Sequence, residues 1–189
     1  MALDLRKNDR LDLSKPGLKN IQVIVSWGLR EGVSADLDAS AIFLGSSGKM
    51  WAENSLVFYK QCGSPGDPVF HWGDQRTGTE GAEEADGEKI DIDLPRVDPR
   101  TSTILVVITS YSDGEPIHFG KVRDALVRVV DRDKNAELCR YDLTEDLSGH
   151  TAVAVAALQR KGSSWEFVAM AEALGKSSNG LADVVEKYG

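Results

Sequence analysis

Lys89-Ile90-Asp91-Ile92-Asp93-Leu94 alternates apolar and charged side chains without a break. A two-residue period is the signature of a strand with one face toward a core and the other toward water. The reading predicts Ile90, Ile92 and Leu94 inside and Asp91 and Asp93 outside. A little further on, Thr103-Ile104-Leu105-Val106-Val107-Ile108-Thr109 is apolar almost throughout and of strand length. Such a run predicts a central strand covered on both faces.

Outward from this pair the chain reads as many short strands separated by Gly, Pro and Asp turns. Leu11-Asp12-Leu13, Ile21 to Trp27, the second half of Ala35 to Leu44, Ser55 to Tyr59, Ala125 to Asp131, Ala136 to Leu143 and Trp165 to Met170 all suit extended chain, and Val69 to Trp72 leads into an acidic stretch. Thr151 to Arg160 is rich in alanine, and helix and strand compete there. Leu181, Val184, Val185 and Tyr188 follow the i, i+3, i+4, i+7 spacing of an amphipathic helix, with Ser177-Ser178-Asn179 before it as cap. The expected fold is mainly β: a two-sheet antiparallel β-sandwich with a C-terminal helix and room for one more short helix. No repeat or linker divides the 189 residues, so a single domain is expected over 1–189.

Immediately before the alternating strand lies the stretch Gly73 to Glu88. It carries six carboxylates and four glycines, and no apolar side chain larger than alanine. Hydrophobic packing cannot bury it, and its charges repel one another. Two readings stay open: a solvated acidic loop, or a loop ordered by a cation. Its donors are all oxygens, which suits Ca²⁺ first and Mg²⁺ second, whereas Zn²⁺ or Cu²⁺ would want softer ligands. Asp36 and Asp38 stand two apart, so in extended chain both carboxylates share a face while Leu37 turns to the core. They are either solvated or held by something positive.

Net charge is −8 with scattered basic residues, which argues against a nucleic-acid partner or an anionic membrane surface. Cys62 and Cys139 form no CxxC pair, no apolar run is long enough to span a bilayer, and the N-terminal residues lack the apolar stretch of a signal peptide. A cytoplasmic setting without membrane insertion is expected. His71, His118 and His150 have no metal-binding spacing, and GxSxG, P-loop and GxGxxG patterns are absent. Trp27, Trp51, Trp72 and Trp165 are expected in the core or at its edge, with Trp72 against the acidic stretch.

An ordered set of motifs then resembles the tellurium-resistance TerD-type family. It comprises Asn8 to Lys19, Ser26-Trp27, Asp36-Leu37-Asp38-Ala39-Ser40-Ala41, Val57-Phe58-Tyr59 and His71 to Gly78. Phe119 to Ala125, Tyr141 to Asp146, Trp165-Glu166-Phe167 and Leu181 to Gly189 complete it. The resemblance covers almost the whole chain. It implies a non-enzymatic β-sandwich that binds one or two Ca²⁺ ions in clustered loops. Such a module would serve responses to tellurite and chemical stress by docking onto other stress-response proteins at the inner membrane face. It implies Asp36, Asp38 and Asp74 as ligands. The remaining candidates for the metal are Gln61, Gln75, Thr77, Glu80, Glu83, Glu84, Asp86 and Glu88. This chain departs from the family pattern at Tyr59-Lys60-Gln61, where the family has Tyr-Asn-Asn, at Gln75 in place of Asn, and in a longer acidic run. Those departures motivate the alternative of a Ca²⁺-independent interaction scaffold with a degenerate site.

Overall fold

The computed structural model describes residues 2–29, 36–64, 66–73, 87–143 and 147–189. In chain order the strands are β1 (Leu3–Leu5), β2 (Arg10–Asp12), β3 (Asn20–Leu29), β4 (Asp36–Leu44), β5 (Leu56–Val57) and β6 (Val69–His71). They continue as β7 (Glu88–Asp93), β8 (Thr103–Tyr111), β9 (Val122–Asp131), β10 (Ala136–Asp142), β11 (Ala152–Lys161) and β12 (Ser164–Gly175), before helix α1 (Gly180–Tyr188). One sheet runs β1-β10-β9-β3-β7-β6 and the other β2-β12-β11-β8-β4-β5. Every pairing is antiparallel except β1 with β10. The expected sandwich is therefore the observed one.

Alternation places the core. Ile21, Val23 and Val25 of β3 and Ile90 and Ile92 of β7 face Leu37, Ala39 and Ala41 of β4 and Ile104, Val106 and Ile108 of β8 across the space between the sheets. The other parity of the second sheet builds a smaller cluster. Ile42, Leu44, Leu105 and Val107 pack with Val184 of α1. This is why Thr103 to Thr109 is apolar on both faces: one side of β8 meets the opposite sheet and the other meets the helix. Asn179 caps α1 by accepting from the Ala182 N–H at 3.1 Å. The helix start presses on the sheet so closely that a Cβ at Gly180 would come within 2.2 Å of the Thr151 carbonyl oxygen.

Several expectations change. Thr151 to Arg160 resolves to strand, since β11 sits between β8 and β12 and its alanines let the two sheets and α1 approach. The expected Ser55 to Tyr59 strand shrinks to Leu56–Val57, because Phe58 and Gln61 pair with each other around a tight turn. The Trp165 strand runs on to Gly175. In place of another α-helix, the described residues hold two 3-10 turns, Leu94–Arg96 and Phe119–Lys121. Asp91 points outward as expected yet is buried. Trp72, in contrast, is 57% exposed and is no core residue.

Candidate functional site

The site is built where three strands end together. On β4, Leu37, Ala39, Ala41 and Phe43 point between the sheets, which puts Asp38, Ser40, Ile42 and Leu44 on the other face. Asp38 pairs with Thr109 of β8, and its residue is only 6% exposed. Asp36 opens the strand opposite Tyr111 and is placed by its backbone alone. The two aspartates therefore occupy like-facing positions of one strand, as their spacing requires.

β5 covers only part of the edge of β4. It pairs through Ala41 with Val57 and Ile42 with Leu56, and Phe43 N–H donates to the Ser55 carbonyl. Continued by two more pairs, this register would set Tyr59 against Ala39, but the chain has by then turned at Phe58. The N–H and C=O of Ala39 lie on this side of β4, inside the molecule and without a strand partner. Unmet, each would be costly.

Two buried side chains from the opposite sheet take the missing strand's place. Glu88 opens β7 with the same inward parity as Ile90 and Ile92. Its Oε2 accepts the Ala39 N–H at 2.5 Å. His71 closes β6 with the parity of Val69, and its Nε2 lies 3.1 Å from the Ala39 carbonyl oxygen and 3.3 Å from Glu88 Oε2. The Gly73 N–H donates to His71 Nδ1 at 3.0 Å. Nδ1 is thus an acceptor, the ring proton sits on Nε2, and Nε2 is the donor toward Ala39. Both residues are about 1% exposed.

This junction lies at the root of the acidic stretch. Gly73 lies two residues after His71 and Gly87 directly precedes Glu88, so the connection from β6 to β7 begins and ends next to the two residues that hold Ala39. Gly87 runs against β3 so tightly that a Cβ there would stand 1.9 Å from the Val25 carbonyl oxygen. Only glycine allows that approach.

Asp74, Gln75, Thr77, Glu80, Glu83, Glu84 and Asp86 lie outside the described residues. Glu88 is a buried strand residue rather than a member of a solvated loop. Gln61 is exposed and commits its side-chain amide to the Leu56 carbonyl at 2.8 Å. Among the described residues no group of three or more His, Cys, Asp or Glu is arranged to hold a metal ion. The donors at this end are nevertheless oxygens. The Lys60 ammonium is held above its ordinary value chiefly by its hydrogen bond to Tyr59. Its Nζ lies 5.2 Å from the Tyr59 ring centroid. Carboxylate oxygens such as those of Asp38 suit a hard cation in donor type.

Sequence reasoning passed over His71 and Ala39. The signal was parity: Glu88 and His71 fall on the inward positions of their strands, where a charged or polar side chain requires a partner. It also misjudged Asp91. Gln22 Nε2 donates to Asp91 Oδ1 at 2.7 Å, while Trp72 Nε1 and Arg132 Nη1 reach Oδ2 at 2.7 and 2.8 Å. Trp72 also meets Phe70 edge to face at 5.4 Å. It thereby walls a surface cleft of about 480 Å³ shared with Phe70, Asp93, Arg96 and Arg132.

These features define a two-layer β-sandwich in which a buried Glu–His pair joins β4 to the end of β6 and the start of β7. The solved structure of a homologue of telluride resistance protein (TerD) from Streptomyces coelicolor A3(2) has the same fold. Its TM-score is 0.66 at 23% identity, over 85% of this chain and 93% of that one. The model of the TerD domain matches residues 1–188. Tellurium resistance protein TerD of Serratia marcescens is 37% identical over 194 residues, covering all of this chain and 98% of that protein. General stress protein 16U of Bacillus subtilis (strain 168) is 35% identical over 195 residues, with the same coverage. The chain belongs to the TerD-domain family of tellurium-resistance and stress-response proteins.

Proposed function

We propose that this chain is a Ca²⁺-binding, non-enzymatic module of the cellular response to tellurite and other chemical stress. In this reading the cation is held between Asp36 and Asp38 on β4 and the acidic connection from Asp74 to Asp86. Bound there, Ca²⁺ supplies positive charge that offsets carboxylate repulsion and draws the two segments together. The ordered end then offers a surface to other stress-response proteins in the cytoplasm, including those at the inner membrane face. The observation that supports this reading is the junction of Ala39 with Glu88 and His71, which ties the strand bearing Asp38 to the two strand ends between which the acidic connection runs in sequence. No helix of the described residues is long and apolar enough to cross a membrane.

The test is thermal unfolding with and without millimolar free Ca²⁺. A ligand that binds only the folded state stabilises it by RT ln(1 + [L]/Kd), about 2.7 kcal/mol at a hundredfold excess over Kd. The melting temperature should rise, and Asp38→Ala should cut the rise by half or more. Equal melting temperatures with and without Ca²⁺ would refute the reading.

A second reading is a Ca²⁺-independent interaction scaffold, and Gln61, exposed and with its side-chain amide committed to the Leu56 carbonyl at 2.8 Å, is what favours it. Calorimetric titration separates the two: heat with whole-number stoichiometry would end the scaffold reading.

A further inference from the structure

We infer that the cleft walled by Trp72 is a binding site for a small aromatic carboxylate, with Trp72 stacking on the ring and Arg96 and Arg132 holding the carboxylate. The cleft opens on the outer face of the first sheet, since Asp91 at its floor has the parity opposite to Ile90 and Ile92. It shares no residue with the cation reading above and stands or falls without it. Its volume of about 480 Å³ lies in the range of small-molecule sites.

The floor is held together before any ligand arrives. The buried Asp91 carboxylate accepts from Gln22 Nε2 at 2.7 Å, from Trp72 Nε1 at 2.7 Å and from Arg132 Nη1 at 2.8 Å. Trp72 and Arg132 meet on the same oxygen, Oδ2, so the indole and the guanidinium stand side by side. Phe70 braces the indole edge to face. Trp72 is thereby fixed in place although more than half exposed. An apolar ring held open to water gains by being covered, and a flat ring covers it well. Groups positioned beforehand also lower the cost of binding.

Donors decide the charge of the ligand. A guanidinium carries five N–H groups. Arg132 gives one to Asp91, and Arg96 gives one to the Gly66 carbonyl at 2.7 Å. Both side chains are about half exposed. The neighbouring polar groups do not take up the rest. Asp67 turns its carboxylate back to the Ser64 N–H at 2.6 Å. Asp93 lies 3.6 Å from Arg96 Nη1, too far for a good hydrogen bond. Asn20 and Cys62 are committed to Asp133 and to the Tyr59 carbonyl. The cleft is therefore rich in spare donors, arranged in the planar forks that match a carboxylate. The net charge of −8 opposes an anion at a distance, so recognition rests on these short contacts.

The experiment titrates the full chain with naphthalene carboxylate, its primary amide and the naphthylmethylammonium cation. Binding is read from the NMR shift of the Trp72 indole N–H. The carboxylate should shift that resonance saturably below about 10 mM. The amide keeps the ring and loses the charge, and the ammonium reverses it. Each should bind at least about fivefold more weakly than the carboxylate, because charge-assisted hydrogen bonds are the stronger kind. Arg96→Gln keeps a donor for the Gly66 carbonyl and removes the cation, so it should weaken the carboxylate by at least about fivefold. An amide or ammonium that comes closer than this to the carboxylate overturns the inference, as does a smaller effect of Arg96→Gln. So does the absence of a saturable shift, or a shift confined to Trp27, Trp51 or Trp165. Should Arg96→Gln fail to fold, the comparison of carboxylate and amide on the wild type decides.

Discussion

The Glu88 carboxylate of one sheet accepts the backbone N–H of Ala39 in the other, at 2.5 Å and almost out of reach of water. A side chain here does what a neighbouring strand does elsewhere in the sandwich. Replacing it with a side chain of similar size and no acceptor, Glu88→Leu, leaves the Ala39 N–H buried and unmet. That substitution should lower unfolding free energy by about 1–3 kcal/mol. Urea denaturation followed by tryptophan fluorescence measures it, and a loss below about 0.5 kcal/mol would mean the bond contributes little.

Helix α1 is attached to the outer face of the second sheet chiefly through Val184, which is fully buried among Ile42, Leu44, Leu105 and Val107. Val184→Ala should cost about 1–3 kcal/mol through lost burial and the cavity left behind. Removing the cap by Asn179→Ala should cost about 1 kcal/mol. The two act on the same helix, so the double variant tests whether they add.

The thiols should separate cleanly by accessibility. Cys139 is buried and its thiol is pushed up to about 12, first by desolvation and then by the charge of Glu137. Cys62 is half-exposed, with its Sγ 2.9 Å from the Tyr59 carbonyl oxygen. A thiol reagent at neutral pH should modify one cysteine in the folded protein and two in denaturant, and peptide mapping should identify the first as Cys62.

Asp98 gives the protein an acid-sensitive contact. The Arg100 side chain, and then its backbone N–H, hold the Asp98 carboxyl at about 2. A carboxyl depressed in the folded state adds stability that is present above the unfolded value near 3.8. That stability is lost as pH falls toward 2. Melting temperature should therefore drop more steeply between pH 4 and pH 2 in the wild type than in Asp98→Asn. Parallel profiles would assign the acid sensitivity to other carboxylates.

Much of this molecule can be read locally. The alternation from Lys89 to Leu94 and the apolar run from Thr103 to Thr109 specify strands because side-chain direction in extended chain depends only on residue parity. The spacing and cap of α1 specify a helix for the same kind of reason, and the ordered motifs identify the family. The tertiary structure alone decided what each inward or outward position meets. Thr151 to Arg160 became strand because two neighbouring strands were there to pair with it. Asp91 was buried by Gln22, Trp72 and Arg132, which arrive from three other segments. Glu88 and His71 gained their purpose from the place where β5 happens to stop. Hydrogen-bond demand at a sheet edge depends on where distant chain segments end, and no local pattern in the sequence records that.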